Sequence, residues 1–190
     1  MTALFPLHTV LVPGGLLPLR LFETRYLDLV SECLREDKGF GVILIEQGSE
    51  VGAPPDIFTT GTYARIIDWQ QNLDGLLGIT IEGQRRFRVL DSKPRSNQLL
   101  EARITWLEEG EDKTVSALKA DIIPWLKQIA DSIPLSLTDE SGRDRTAGWA
   151  SYRLLELLPL EMPIKQRLLE IDDPVQRLET LYTLFQDEHS

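Results

Sequence analysis

Only a few side chains in this sequence have the chemistry of a catalytic site. Its histidines are His8 and His189, and Cys33 is its single cysteine. An imidazole-activated thiol would therefore need Cys33 and His8 together. Cys33 falls on the apolar stripe of a predicted helix, where a free cysteine packs as a small hydrophobic residue. We expect a buried, inert Cys33, a partly buried His8 within the first strand and a solvated His189 near the chain end.

Ser116 and Lys119 match the Ser-x-x-Lys pattern, in which a lysine one helical turn away activates a serine nucleophile. The companion motifs Ser-Asp-Asn and Lys-Thr-Gly do not occur in the sequence. Because a pattern with two fixed positions often arises by chance, we expect a surface serine and lysine on an amphipathic helix.

The spacings typical of metal and nucleotide sites are absent from the sequence. It has no His-x-x-x-His, no Cys-x-x-Cys, no calcium loop and no glycine-rich loop that would cradle phosphates. Solvation in a linker explains the acidic pair Glu108 and Glu109, and capping of a helix start explains Asp172 and Asp173. The sequence therefore predicts no catalytic residue, no metal and no cofactor.

Arg85, Arg86 and Arg88 form the one basic cluster of the sequence. In an alternating strand, Arg86 and Arg88 share a face opposite Phe87, and neighbouring strands can supply carboxylates to that face. Ion pairs on the sheet surface are therefore favoured over phosphate contacts. A nucleic-acid-binding module that uses this cluster is the alternative function.

The composition is that of a globular protein in a reducing compartment. The 190 residues are 42% hydrophobic and 26% charged, with a formal net charge of −10. A net negative charge makes binding to nucleic acid and to anionic membranes less favourable. One cysteine allows no internal disulfide, and no apolar run approaches the roughly 20 residues of a membrane helix. We expect a cytoplasmic protein that is neither exported nor membrane-embedded.

The first part of the sequence has the pattern of strands around a single helix. The predicted strands are Leu4–Val12, Leu17–Leu21, Phe40–Ile45, Thr59–Trp69, Leu76–Glu82, Arg85–Leu90 and Leu99–Leu107. Pro6 suggests that the first is an edge strand. An amphipathic helix is expected from Phe22 to near Gly39. The last four strands imply an antiparallel meander with a turn at Gly83.

The remainder of the sequence has a helical pattern. A helix is expected from about Thr114, with a kink or a restart at Pro124, and another over Ala147–Leu158. Asp173 and Pro174 are a favourable N-cap and first residue for a further helix. We therefore predict the α+β class, with a β-rich domain over residues 1–110 and a helical bundle domain over residues 111–190.

Both ends of the chain resemble the Lon protease N-terminal domain family. The opening Leu4–Tyr26, LFPLHTVLVPGGLLPLRLFETRY, is similar to the opening of that family, and Leu157–Glu179 is similar to its helical region. The likeness is closest to the stand-alone bacterial members, which occur without the ATPase and protease parts. Thr24 stands where the family often has proline, a departure that concerns only how the first helix begins.

The resemblance implies a small PUA-like β pseudo-barrel with one helix packed against it, followed by a helical bundle. In full-length Lon, the equivalent region helps to select unfolded or tagged substrates for an ATPase ring. The catalytic serine and lysine of the Lon protease domain have no counterpart positions in this chain. A peptidase activity is therefore not expected here.

The leading hypothesis is a non-catalytic module that binds unfolded polypeptide or a protein partner in a groove or along an edge strand. Its predicted contacts are apolar residues at loop positions: Leu16 and Leu17 after a Gly-Gly loop, and Leu73 at a hairpin tip near Trp69. That these residues fold back onto the core is the alternative. A hydrolase is the third and least favoured function, and the sequence leaves the oligomeric state open.

Overall fold

The computed structural model describes residues 1–71, 75–132, 136–138, 140–142 and 144–187. The chain divides into two compact units, Met1–Leu107 and Glu108–Ser190. The first unit is rich in strands and the second in helices, so the fold is of the mixed α+β class that the sequence predicts. No described helix is long and apolar enough to cross a membrane.

Within residues 1–71 and 75–107, the first unit has six strands and one helix. They are β1 (Thr2–Leu7), β2 (Leu16–Leu21), α1 (Thr24–Glu36), β3 (Phe40–Gln47), β4 (Asp56–Gln71), β5 (Leu77–Pro94) and β6 (Leu100–Trp106). Most strands are rich in leucine and in the β-branched or aromatic residues that favour pleated structure. Their order in the sheet is β2-β5-β4-β3-β1-β6, with a further pairing between β5 and β6.

That further pairing closes five of the strands into a ring. β1 pairs in parallel with β3 and antiparallel with β6, while β4 pairs antiparallel with β3 and with β5. β5 then pairs antiparallel with β6, which leads back to β1. β2 lies outside the ring, because in the described part of the chain it pairs with β5 alone.

Strand β5 runs without interruption through Gly83, so the predicted turn at this glycine is wrong. The Gly83 N–H donates to the Gly15 carbonyl oxygen (2.9 Å), and the Gly83 carbonyl oxygen accepts from the Gly14 N–H (2.7 Å). A Cβ at Gly83 would lie 2.2 Å from the Val12 carbonyl oxygen. The glycine therefore serves the close approach of a loop to the strand. One long strand can then pair with β2 along its first part and with β6 along its second.

Strand β1 is shorter than predicted and is not an edge strand at its start. Thr2 and Ala3 pair with β6, whereas the segment from Leu4 to Leu7 pairs with β3. Pro6 lies beyond the β6 ladder, opposite Ile43 of β3. Proline is tolerated at this position because one side of the strand is unpaired there, so no hydrogen bond between strands needs its missing N–H.

Helix α1 covers the main core of the first unit. The apolar stripe expected from the sequence consists of Tyr26, Leu27, Val30, Cys33 and Leu34. Tyr26, Val30 and Cys33 are buried together with Leu29, which confirms an amphipathic helix, whereas the expected burial of Leu27 and Leu34 is wrong because both are exposed. The Tyr26 ring stacks on Phe5 of β1, with 3.9 Å between ring centroids. This packing holds the first turn of α1 against β1.

Alternate residues of the same strands pack into a second cluster. Its buried members are Leu4, Ile43, Phe87, Leu100 and Ala102. Leu4 and Phe5 are chain neighbours that belong to different clusters, as the alternation of side chains along a strand requires. The sheet is therefore covered by apolar side chains on both of its faces.

The second unit, over its described residues, has a short 3-10 helix (Val115–Ala117) and four α-helices. These are α2 (Ile122–Ser132), α3 (Ala147–Leu157), α4 (Met162–Leu169) and α5 (Pro174–Asp187). α2 restarts the helical path so that Pro124 lies in its first turn, where the missing N–H costs no helical hydrogen bond. The predicted cap of α5 is confirmed, because Asp173 Oδ1 accepts from the N–H groups of Val175 (2.8 Å) and Gln176 (3.0 Å).

Glu109 is held by an ion pair, which corrects the interpretation that solvation explains it. Arg177 Nη2 lies 2.8 Å from Glu109 Oε2, and the Arg177 side chain is fully buried. The Tyr152 hydroxyl donates to Glu109 Oε1 at 2.6 Å, and the Arg177 guanidinium lies 4.0 Å from the centroid of the Tyr152 ring. Arg177 also donates to the Ile171 carbonyl oxygen (2.7 Å). The first residues of this unit are thereby tied to α3 and α5.

Candidate functional site

The structure places Cys33 and His8 in different environments. Cys33 is buried, and this burial raises the pKa of its thiol to about 11. His8 is exposed and follows the end of β1, so the prediction of a partly buried His8 within the strand is wrong. His189 lies outside the described residues. A thiol that stays protonated at neutral pH is a poor nucleophile, which confirms that Cys33 is a packing residue.

We expect Cys33 to resist alkylation while the protein is folded. Both its burial and its raised pKa reduce the thiolate that reacts with an electrophile. Iodoacetamide at pH 7 should label the folded chain at least about 100-fold more slowly than the chain unfolded in guanidinium. Intact-mass measurements over time would follow this labelling. Equal rates in the two states would contradict the assignment.

Ser116 and Lys119 are surface residues, but they do not share an α-helix. Ser116 lies in the 3-10 helix and Lys119 follows it, and both are exposed. Lys119 Nζ lies 2.8 Å from Glu179 Oε1, and this hydrogen bond raises the pKa of Lys119. A lysine base must give up its proton near neutral pH, so this partner opposes that role. Within the described residues, no group of three or more His, Cys, Asp or Glu side chains could hold a metal ion.

The basic cluster of β5 is divided between buried and exposed positions. Arg86 is fully buried, whereas Arg85 and Arg88 are exposed. The Arg85 guanidinium lies 5.4 Å from the centroid of the Trp106 ring, which is a cation–π distance. Because Arg86 would have to leave the core to reach a phosphate, the cluster offers less to nucleic acid than its sequence suggests.

Strand β2 is the outermost strand of the sheet, and its outer side pairs with no strand of the described part of the chain. It pairs with β5 along its whole length, from Leu16 opposite Glu82 to Leu21 opposite Leu77. In an antiparallel ladder, alternate residues direct their N–H and C=O groups toward the neighbouring strand. Pro18 has no N–H to donate, so it occupies a position whose hydrogen-bonding side faces away from β5. The outer edge therefore lacks one donor that a regular added strand would use. This arrangement favours recognition through side chains over addition of a continuous strand.

The predicted contact residues of β2 lie on opposite faces of the sheet. Successive side chains alternate along a strand, so Leu16 and Leu17 point away from each other. Leu16 is 58% exposed, whereas Leu17 is partly buried against the main core. Leu73, the residue predicted at the hairpin tip, lies outside the described residues.

Trp69 stands at the end of an apolar row that crosses three strands. Trp69 of β4 and Leu19 of β2 both lie opposite Ile79 of β5. Ile79 is buried and Leu19 packs against the core, whereas Trp69 is 61% exposed. A large ring left in water beside an apolar row marks a candidate contact surface.

A depression of about 150 Å³ is lined by residues of β2 and of the start of α1. Its apolar lining consists of Phe5, Leu7, Pro18, Leu19, Leu21, Phe22 and Tyr26. Phe22 is 60% exposed. Small-molecule sites usually enclose about 300–1,000 Å³, so this depression suits a single side chain. Trp69 lines a second depression, of about 260 Å³, which shares Pro18 and Leu19 with the first. Leu19, Phe22, Tyr26 and Trp69, which line these two depressions, are called the β2 groove from here on.

Carboxylates and a guanidinium lie beside the apolar lining. Glu23 and Glu50 line the depression. Arg25 Nη2 lies 3.1 Å from Glu23 Oε2 and donates to the Glu50 carbonyl oxygen at 3.2 Å. Burial raises the pKa of Tyr26 to about 12, Arg25 lowers it in part, and the two carboxylates raise it further. The Tyr26 hydroxyl therefore stays neutral, and charge is confined to the acidic and basic groups around it.

The β2 groove contains three residues that the sequence did not single out. Leu19 and Tyr26 fit the strand and helix periods, so their patterns predict only core packing. Phe22 lies at the junction between β2 and α1, where neither the two-residue repeat of the strand nor the helical repeat predicts that it is buried. An aromatic residue between two periodic segments is the signal that could have identified it.

The second unit contains an apolar depression of its own, of about 420 Å³. It is lined by Trp125, Gln128, Ile129, Ser132, Leu158, Phe185 and Gln186. The Trp125 ring is largely buried and packs edge-on against Tyr182 at 5.4 Å between centroids. Aromatic surface is therefore more accessible in the β2 groove than here.

Comparison with known proteins assigns the family. Residues 2–187 match the family model described as the ATP-dependent protease La (LON) substrate-binding domain. The chain belongs to this family. The resemblance noted at the two ends of the sequence is thereby confirmed, and the match extends across both units. By its description, this family is a substrate-binding domain of the protease.

The chain is also similar to complete Lon proteases. It is 29% identical to the Lon protease of Cytophaga hutchinsonii over an alignment of 187 positions, and the match covers 93% of this chain and 23% of that protein. It is 24% identical to the Lon protease of Haemophilus influenzae, covering 96% of this chain and 24% of that protein. The chain thus spans about a quarter of the length of these relatives.

Two solved structures share the fold over nearly the whole chain. The Lon N-terminal domain protein from Xanthomonas campestris is 38% identical with a TM-score of 0.78, and the match covers 96% of each chain. The N-terminal domain of the Mycobacterium avium complex Lon protease is 18% identical with a TM-score of 0.70, over 98% of each chain. The second likeness concerns the fold alone.

Proposed function

We propose that this chain binds exposed apolar segments of polypeptides in the β2 groove and releases them without chemical change. The observation that carries the proposal is the exposure of two large aromatic rings near β2, the outermost strand of the sheet. Phe22 directly follows β2, and Trp69 of β4 lies in the same cross-strand row as Leu19 of β2. Membership of a substrate-binding family supports the same conclusion.

Burial of apolar surface supplies the affinity. Each Å² of apolar surface removed from water contributes about 25 cal/mol, and binding must also offset the lost freedom of an extended segment. One side chain of the segment enters the depression beside Tyr26, and others contact Leu19 and Trp69. Since Pro18 interrupts the donors of the outer edge, side chains rather than a continuous backbone ladder determine the affinity.

The finer features that the sequence implies belong to the same proposal. The five-stranded ring would be the PUA-like pseudo-barrel, the helices of the second unit would be a helical bundle, and residues 1–110 and 111–190 would fold as domains. In this proposal the chain is a cytoplasmic recognition module, and ATP-driven unfolding and peptide cleavage lie outside the steps that it performs.

Fluorescence anisotropy of a labelled, permanently unfolded polypeptide, titrated with this protein at 50 mM and 300 mM salt, tests the proposal. We expect saturable binding that persists at the higher salt, because apolar burial is not screened by ions. Labelled single-stranded RNA serves as the comparison. RNA binding that falls steeply with salt, together with no polypeptide binding, would overturn the proposal in favour of a nucleic-acid module.

A further inference from the structure

The depression beside Tyr26 has unequal numbers of negative and positive groups. Glu23 and Glu50 both line it. Strand alternation places the side chain of Arg20, another lining residue, on the face of β2 opposite Leu19. The guanidinium that lies close to both acidic residues is that of Arg25, which is buried behind the lining.

Glu23 and Glu50 differ in how their charges are balanced. The Glu23 carboxylate is paired with Arg25 at 3.1 Å. The Glu50 carboxylate accepts a hydrogen bond from the neutral backbone N–H of His8 at 2.7 Å, while Arg25 contacts Glu50 through its carbonyl oxygen. Among the described residues, the Glu50 carboxylate has no cationic side chain within ion-pair distance, and its charge is open to a ligand.

We propose that this site prefers apolar segments in which a positively charged group neighbours the inserted side chain. The inference rests on the proposed function and adds the charge of the substrate to it. The apolar side chain fills the depression of about 150 Å³, and an ammonium or guanidinium group next to it pairs with Glu50. The net charge of −10 also attracts cationic segments over longer distances.

Two sources could supply the positive charge, and the peptides distinguish them. The probes are peptides of one apolar core sequence, labelled at the C-terminus. One has an acetylated N-terminus and a lysine beside the core, one is acetylated with glutamine at that position, and one has glutamine and a free α-amino group directly before the core. A preference for the first indicates a side-chain cation, and a preference for the third indicates the chain terminus.

Glu50→Gln is the decisive variant. The glutamine side-chain oxygen can still accept from the His8 N–H, so the loop keeps its contact while the charge is removed. The matched control is Asp56→Asn, which removes the same charge at an exposed position outside the depression. Thermal melting of both variants verifies that they fold.

At low salt we expect a cationic peptide to bind about 3- to 5-fold more tightly than the neutral acetylated one, the size of a partly exposed ion pair. Glu50→Gln should abolish this preference and Asp56→Asn should retain it. Equal affinities for all peptides, or a preference that survives Glu50→Gln, would overturn the inference. Equal binding would leave the proposed function intact, whereas absence of binding by every peptide would overturn both.

Discussion

Replacing Glu109 by alanine should lower the free energy of unfolding of the second unit by about 3–5 kcal/mol, the cost of leaving a buried charge without its partner. Arg177 is fully buried, and its ion pair with Glu109 compensates its charge. The Tyr152 hydroxyl would lose its acceptor as well. Urea unfolding followed by circular dichroism at 222 nm, which reports on the helices, measures the change.

The control for this variant is Glu111→Ala, which removes an exposed carboxylate two residues further along the chain. Its unfolding free energy should stay within about 0.5 kcal/mol of the parent. The double variant Glu109→Gln with Arg177→Met replaces the pair by uncharged groups and should recover part of the loss. Equal stability of Glu109→Ala and Glu111→Ala would show that the ion pair is dispensable.

Replacing Trp69 by alanine should weaken binding of an unfolded polypeptide by about 30-fold, which corresponds to about 2 kcal/mol for an aromatic contact residue. Because Trp69 is 61% exposed, the stability of the protein should change little. The anisotropy titration at moderate salt measures the affinity, and the melting temperature is recorded beside it.

Leu90→Ala provides the matched control for the Trp69 variant. Leu90 is 56% exposed and lies on β5, well along the strand from the part that pairs with β2. Its replacement should leave the affinity within about 2-fold of the parent. Unchanged binding by Trp69→Ala, with Leu90→Ala also unchanged, would direct attention to the depression of the second unit, where Phe185→Ala would be the next variant.

The sequence predicts local structure well where one segment contains all the information. The stripe that includes Tyr26, Val30 and Cys33 predicts α1, and Asp173 before Pro174 predicts the start of α5. Gly83 is misleading because glycine serves both turns and close approaches, and only the position of a loop some seventy residues earlier in the chain distinguishes the two.

Contacts between distant residues explain what sequence reasoning missed. Glu109 looks like a linker residue until Arg177, which is 68 positions away, is seen to contact it. Residues of the candidate site were missed for the same reason. Trp69 could be predicted because a tryptophan near a turn is conspicuous in the sequence. Phe22 and Glu50 lie in separate connections, and only the folded chain brings them to one depression.

Because β2 lies outside the five-stranded ring, residues that determine ligand preference and residues that stabilise the scaffold can lie on different strands. Among the described residues, opening β2 breaks one ladder, whereas opening a strand of the ring breaks at least two. Amide hydrogens of β2 can therefore exchange through a local opening that leaves the ring folded. For the same reason, β2 is the strand on which evolution or a protein engineer can exchange residues to alter ligand preference while the scaffold is inherited unchanged.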